Sequence, residues 1–393
     1  MRKKVFSGLL ALVLVFLLMP SASAAVSPEL IDNPVPFSYL SKAPSEQQGA
    51  VHQESYTVTS GSHASLTKYI YVYLPAEYES NPQKRYDIFY FMHGLGGTAY
   101  ELLGEQFNNG QIKNMIDHMI ADKIIDPIII VAVTWNTNPN LSGPNSSVIS
   151  SQGGDAERQA FHTEFEEDVM PLIESKYRTY ARSTSTADLI ASREHRGFGG
   201  FSYGAHTTWY QLRSDVDYIY YFAPMSGGLS NLYAEIARHR QDYQLCCITG
   251  TNDNTRGQCD THMALYPGGN NNISYYKVNG ATHSYTGYQQ YLYTALREFY
   301  APVPFSDAAA LTVEGGGYSY YVSNSTLRLK ITDTNAAVIV AQYDANGRQT
   351  GVEIETTDKV GTTFDVTLTQ ESYKIFSVNK NTFAPRCAAC SGR

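Results

Sequence analysis

Hydrophobic and polar positions follow two regimes along this chain. In the first, Tyr56–Thr59 and Lys68–Leu74 alternate at period two, as strands at a wet edge do, whereas Tyr86–Met92 and Pro127–Thr134 are almost unbroken apolar runs. Such runs predict strands covered on both faces. Between them Ile112, Met115, Ile116, Met119 and Ile120 fall at helical spacing, and Phe165–Tyr177 is a second amphipathic segment with its acidic residues early. Acids are favoured there by the helix dipole. Further strands are predicted over His195–Phe201, Tyr218–Phe222, Leu245–Thr249 and Ile273–Val278, with helices after Ser202 and over Tyr285–Tyr300. Strands alternating with helices specify an α/β fold built on a mostly parallel sheet, whose functional groups gather at the C-terminal ends of the strands.

The second regime begins after Pro302-Val-Pro304. Helical periodicity disappears, and short strand-like runs take over at Tyr318–Val322, Leu327–Ile331, Ala337–Tyr343, Thr362–Leu368 and Tyr373–Val378. Gly315-Gly-Gly317 and the hairpin signal Asn346-Gly347 break them. This predicts a separate small all-β, sandwich-like domain: a glycan-binding module, a spacer or an interaction module.

The chain opens with Arg2, Lys3 and Lys4, an apolar run from Leu9 to Met19, then Pro20 and Ala22-Ser23-Ala24. That is the layout of a secretory signal peptide cut after Ala24, and the apolar run is short for a bilayer. Cleavage leaves 26 basic against 37 acidic residues, a net charge of −11. With no basic cluster to offset it, this balance argues against nucleic acid or anionic membrane as a partner and for a neutral one. The 31 tyrosines suit carbohydrate handling but also ordinary strands. Five cysteines (Cys246, Cys247, Cys259, Cys387, Cys390) define no disulfide framework, although one of the first pair is free to bridge to Cys259 and Cys387 to Cys390. Cys387-x-x-Cys390 lacks the companions of a zinc site, so no metal or other cofactor is expected. Oligomeric state is not legible.

Gly200-Phe201-Ser202-Tyr203-Gly204 fits Gly-x-Ser-x-Gly and lies between a predicted strand and a predicted helix. An activated serine needs a base, a group orienting that base and amides where an oxyanion forms. A strand-to-helix turn would expose Ser202 as a nucleophile over a helix N-terminus. His93-Gly94-Leu95-Gly96-Gly97 follows an early strand and offers the Leu95 amide, which with the Tyr203 amide would form the oxyanion hole. His93 itself reads as structural, orienting the loop. Asp253 lies just past the strand ending at Thr249, ahead of its rival Asp260. His283 follows the strand ending at Val278 and takes the place of the base. His206 is too near Ser202 on its helix, and His262 falls in a loop before the last strand.

Taken together, the His93–Gly97 loop, the run Arg193-Glu-His-Arg196 leading to the serine, Gly250-Thr-Asn-Asp253 and Gly280-Ala-Thr-His283 resemble the esterase D-like α/β-hydrolases. The likeness is strongest to the secreted feruloyl and acetylxylan esterases of carbohydrate esterase family 1 and covers about residues 51–300. It implies a triad of Ser202, Asp253 and His283, an oxyanion hole at Leu95 and Tyr203, and Trp135 and Asn136 lining the acyl or sugar pocket. It also implies hydrolysis of feruloyl or acetyl esters on a plant cell-wall polysaccharide such as arabinoxylan, outside the cell. Where such esterases carry Met and then Gly-Gly after the serine, this chain has Tyr203 and Gly204-Ala205, which bears on acyl preference. Acyl transfer to a sugar or lipid acceptor and a catalytically inactive glycan binder are the rival functions. The expected organisation is a signal peptide (1–24), a leader (25–48), an α/β-hydrolase domain (49–302), a β-domain (308–386) and a tail (387–393).

Overall fold

The computed structural model describes residues 25–61, 64–104, 110–135, 154–302, 306, 309–323, 326–368, 370 and 372–392. The signal-peptide segment and Asn136 lie outside them. Two compact units divide the chain at Pro302 and Val303.

The first unit is a nine-stranded sheet. Its strands are β1 (Glu29–Ile31), β2 (Ala50–Thr57), β3 (Thr67–Leu74), β4 (Asp87–Met92), β5 (Ile128–Val133), β6 (Arg196–Phe201), β7 (Tyr221–Met225), β8 (Gln244–Gly250) and β9 (Ile273–Val278). Their order is β1-β9-β8-β7-β6-β4-β5-β3-β2. Every pairing from β1 to β5 is parallel; only β5–β3 and β3–β2 are antiparallel. This is an α/β-hydrolase sheet.

Its two faces explain the apolar runs. Along β4, Ile88, Tyr90 and Met92 enter one core with Val131, Val133, Phe165 and Trp209, while Phe89 and Phe91 enter the other with Ile130, Met115 and Leu292. Successive side chains point to opposite faces, so a strand buried on both must be apolar throughout. Helices cover those faces. The ones used below are α1 (Ala99–Leu103), α2 (Gln111–Ala121), α3 (Asp155–Glu164), α4 (Met170–Lys176), α5 (Tyr203–Ser214), α6 (Arg256–Met263) and α7 (Tyr285–Tyr300).

Several boundaries differ from the sequence reading. Residues 25–48 are more than a leader, because β1 pairs in parallel with β9 and extends the sheet. The segment read as one helix over Phe165–Tyr177 is a π-helical turn, Phe165–Val169, running into α4, and α3 precedes it. The strand expected from His195 starts at Arg196, after a 3-10 turn at Arg193–His195. There Arg196 is buried with its Nε 2.7 Å from Glu174 Oε1, and the His195 ring stacks on Tyr180 at 3.6 Å. His262 sits on α6 rather than in a loop, buried against the Trp209 ring at 3.9 Å.

The second unit has two four-stranded antiparallel sheets. One orders β10 (Leu311–Val313), β11 (Tyr318–Ser323), β12 (Thr326–Ile331) and β15 (Thr363–Thr367). The other orders β14 (Gln349–Thr356), β13 (Ala336–Tyr343), β16 (Ser372–Asn379) and β17 (Cys390–Gly392). Tyr318, Leu327, Leu329, Ile331 and Val366 from one meet Val338, Val340 and Ile375 from the other in a single core, a sandwich. Asn346-Gly347 joins β13 to β14, with Gly347 at φ +75°. The segment read as a C-terminal tail supplies β17, paired to β16. All five cysteines are free thiols.

Candidate active site

Four loops that leave C-terminal ends of the parallel strands converge. Ser202 occupies the turn between β6 and α5 at φ 59°, ψ −112°, a conformation disfavoured for any residue with a β-carbon. The turn stays closed because Ser202 N–H donates to Met225 O at 2.8 Å while Ser202 O accepts from Ala205 N–H at 2.9 Å. Close approach demands glycine at 204, where a β-carbon would lie 2.4 Å from Met92 O.

His283 and Asp253 complete a line with Ser202. Ser202 Oγ lies 2.9 Å from His283 Nε2, and His283 Nδ1 lies 3.0 Å from Asp253 Oδ1. With Nδ1 carrying its proton to the carboxylate, Nε2 is the free acceptor facing the serine hydroxyl. The Phe201 ring, 4.6 Å from the imidazole centroid, packs His283 in place.

Asp253 is held by groups that sequence reasoning missed. Ser226 donates to Oδ2 at 2.6 Å, the Thr255 amide and hydroxyl reach Oδ1 at 2.8 and 2.7 Å, and Tyr291 OH stands 3.2 Å from Oδ2. Burial by itself would raise this carboxyl, but hydrogen bonds from His283, Ser226 and Thr255 outweigh it and hold the pKa at about 2. Thr255 carried a readable signal, since an aspartate commonly bonds the amide two residues on. Ser226 carried none: it comes from the end of β7, 27 residues away in the chain. Asp260, the rival acid, instead pairs with Lys277 at 2.6 Å.

Residues 93–97 close as a turn in which Gly97 N–H donates to Gly94 O at 3.1 Å, and Gly96 takes φ +80°, as the third position of such a turn requires. That pairing leaves the Leu95 amide outside the turn's own bonding. A β-carbon at Gly94 would lie 3.2 Å from Ser202 Cβ, so the loop sits directly on Ser202. Tyr203 is the first residue of α5, where helical geometry provides no acceptor for its N–H. His93 is buried and linked to both neighbours of the loop, Nδ1 to Gly94 O and Nε2 to Thr134 Oγ1, each at 2.8 Å. Burial, its main influence, lowers His93 to about 4, so it is a neutral brace.

Ser202 and His283 open onto a cavity of about 630 Å³. Tyr100, Phe201, Tyr203, Tyr285 and Tyr288 give it an aromatic wall, with Glu101 as a polar insertion. Burial raises the Glu101 carboxyl above its ordinary range. Trp135 is not on that wall among the described residues. Its ring is buried one layer behind, 5.5 Å from His93 and 6.3 Å from Tyr203. The Arg158 guanidinium lies 4.0 Å over the Tyr203 ring and 5.6 Å over that of Trp135.

Fold and site together define an α/β-hydrolase of the serine type. Residues 67–217 match the esterase family described as "Putative esterase", a span that contains the serine but stops before Asp253 and His283. The feruloyl esterase module of Clostridium thermocellum, solved as a serine-to-alanine mutant with sinapinate, is 32% identical with a TM-score of 0.56 over 72% of this chain and 96% of the module. A CE1 ferulic acid esterase from the anaerobic fungus Anaeromyces mucronatus shares the fold at 18% identity, with a TM-score of 0.50 over 70% of this chain and 97% of that one. Endo-1,4-beta-xylanase Y of Acetivibrio thermocellus is 34% identical over 304 residues, 72% of this chain; the match spans only 26% of the xylanase. The chain belongs to the esterase D-like family of these feruloyl esterases.

Proposed function

We propose that this protein is a serine carboxylic-ester hydrolase that removes feruloyl groups from plant cell-wall polysaccharide, arabinoxylan being the model substrate. The observation that carries the reading is the continuous Ser202–His283–Asp253 relay opening onto an aromatic-walled cavity. A planar hydroxycinnamoyl ring stacks well on tyrosine and phenylalanine faces, whereas acetate would leave that surface unused. Relatives described as feruloyl esterases and a xylanase support the same substrate class. The basic, apolar, small-residue layout of residues 1–24 supports export.

The chemistry follows from the geometry. Ser202 Oγ attacks the ester carbonyl as its proton passes to His283 Nε2. Asp253 fixes the imidazole tautomer and stabilises the imidazolium. The Tyr203 and Leu95 amides receive the oxyanion, and the N-terminus of α5 favours the developing charge. The imidazolium then protonates the departing sugar oxygen. In the second half, His283 deprotonates water, which attacks the acyl-enzyme and frees ferulate and the serine. Neither half requires an ion or an organic cofactor.

Chromatographic quantification of ferulate and acetate released from arabinoxylan tests the proposal. Ferulate release that falls by roughly 10³-fold or more in Ser202→Ala is the expected result. Undiminished release in that variant would refute the mechanism. Release of acetate alone would refute the acyl assignment while leaving the mechanism standing, and acyl transfer to added sugar in preference to water would make the protein a transferase.

A further inference from the structure

A second group of chemistry-bearing side chains lies outside the serine relay. It combines His162 from the end of α3, Glu166 from the π-helical turn that follows, and Asp215, the residue that closes α5. His162 Nδ1 stands 3.7 Å from Glu166 Oε1 and 4.0 Å from Asp215 Oδ1. Asp215 is fully buried, yet neither of its carboxylate oxygens has a hydrogen-bond partner, and His162 Nδ1 is likewise buried without one. Buried acceptors without donors are costly, and a native fold that keeps them calls for an explanation.

From this convergence of unpartnered ligand atoms we propose that His162, Glu166 and Asp215 bind one divalent transition-metal ion of the zinc type. An imidazole nitrogen with two carboxylate oxygens suits zinc, whereas calcium and magnesium favour oxygen throughout. Metal–ligand bonds of about 2.0–2.2 Å place tetrahedral ligands roughly 3.3–3.6 Å apart, so the two spacings from His162 need to close by only about half an ångström, and all three ligand atoms already lie within 4.8 Å of one another. The other imidazole nitrogen lies 3.5 Å from Thr163 Oγ1, a neighbour able to orient the ring. His162 and Glu166 side chains are about one-third exposed (33% and 32%), which opens a route for the ion and room for a water ligand. A π-helical turn is a frequent companion of functional sites, and here it carries one of the ligands. Bound there, the ion would tie α3 and its π-turn to the far end of the helix that begins behind Ser202. Its effect is on stability, away from the reacting atoms.

The test uses the full chain, stripped with EDTA and titrated with ZnCl₂ by calorimetry and thermal melting. Because Cys387 and Cys390 also offer ligands to zinc, titration is repeated in a Cys387→Ser, Cys390→Ser background. One equivalent retained in that background, with a melting temperature raised by roughly 3–6 °C, is the expected result. His162→Gln and Glu166→Gln should each weaken binding by roughly tenfold or more. Both positions are partly exposed, so folding is checked by circular dichroism and by metal-free esterase activity equal to the parent's. Absence of binding, loss of binding in the Cys387→Ser, Cys390→Ser background, or unchanged affinity in the two glutamine variants overturns the proposal. Equal affinity for CaCl₂ or MgCl₂ overturns the assignment to a zinc-type ion.

Discussion

Asp253 and Asp215 are both buried aspartates in the same α/β unit, at 5% and 0% exposure, and their carboxyls are pushed in opposite directions. Asp253 collects donors from His283, Ser226, Thr255 and Tyr291, and it remains ionised down to about pH 2. Asp215 has no donor on either oxygen, and burial followed by the neighbouring Glu166 pushes it well above the carboxylate range. Depth alone therefore does not decide a carboxyl's charge. The donors aimed at it do. Asp253 is built to stay negative beside an imidazolium; Asp215 is left with a need that a proton or a cation can meet.

The largest effect should separate the two at once. Asp253→Asn should lower kcat/KM on methyl ferulate roughly 10³–10⁴-fold by losing the acceptor that sets the His283 tautomer. Asp215→Asn in EDTA-treated protein should stay within about threefold of the parent. Equal losses would break the distinction. A smaller effect is expected from Ser226→Ala, which strips one donor from Asp253. It should cost about 1–3 kcal/mol in urea unfolding, and a cost near zero would show that Ser226 is not needed to satisfy the carboxylate.

The subtlest separation is in pH. Because the folded pKa of Asp253 is depressed, its contribution to stability is present above the ordinary aspartate range and is lost as pH falls towards about 2. Asp215 runs the other way, since its folded pKa is raised: the fold is favoured while the group is protonated and is penalised as pH rises. In metal-free protein, the stability of Asp215→Asn relative to the parent should accordingly grow between pH 4 and pH 7. Parallel melting-temperature curves for the two proteins across that range would contradict this.

Much of the fold was legible because burial on both faces forces continuous apolar runs, as in β4 and β5, and because Gly-Phe-Ser-Tyr-Gly between a strand-like and a helix-like run fits a tight strand-to-helix turn. Boundaries were less legible where tertiary contacts override local pattern. The strand read from His195 starts one residue later, because a 3-10 turn at Arg193–His195 precedes it, and Glu29–Ile31 is a strand because β9 leaves an edge for it. In the site, Ser202, Asp253 and His283 were singled out by their order along the chain, and the structure brings these three together. Trp135 was placed on the cavity wall by resemblance, yet its ring is buried behind His93 and Tyr203, and Tyr100, Tyr285 and Tyr288 face the cavity instead.

By itself the sequence determined the alternation of strands and helices, the change to an all-β region after Pro304, and the residue types able to perform acyl chemistry. These depend on periodicity and on near neighbours, which a linear pattern records. Tertiary structure decided which side chains meet across long separations: Ser226 with Asp253 over 27 residues, His283 with Ser202 over 81, and Asp215 with His162 from a different helix. Hydrogen bonds and desolvation act over a few ångströms of space, whatever the distance along the chain. Only folding could therefore bring His283, Ser226 and Tyr291 to one aspartate and leave the other with no donor.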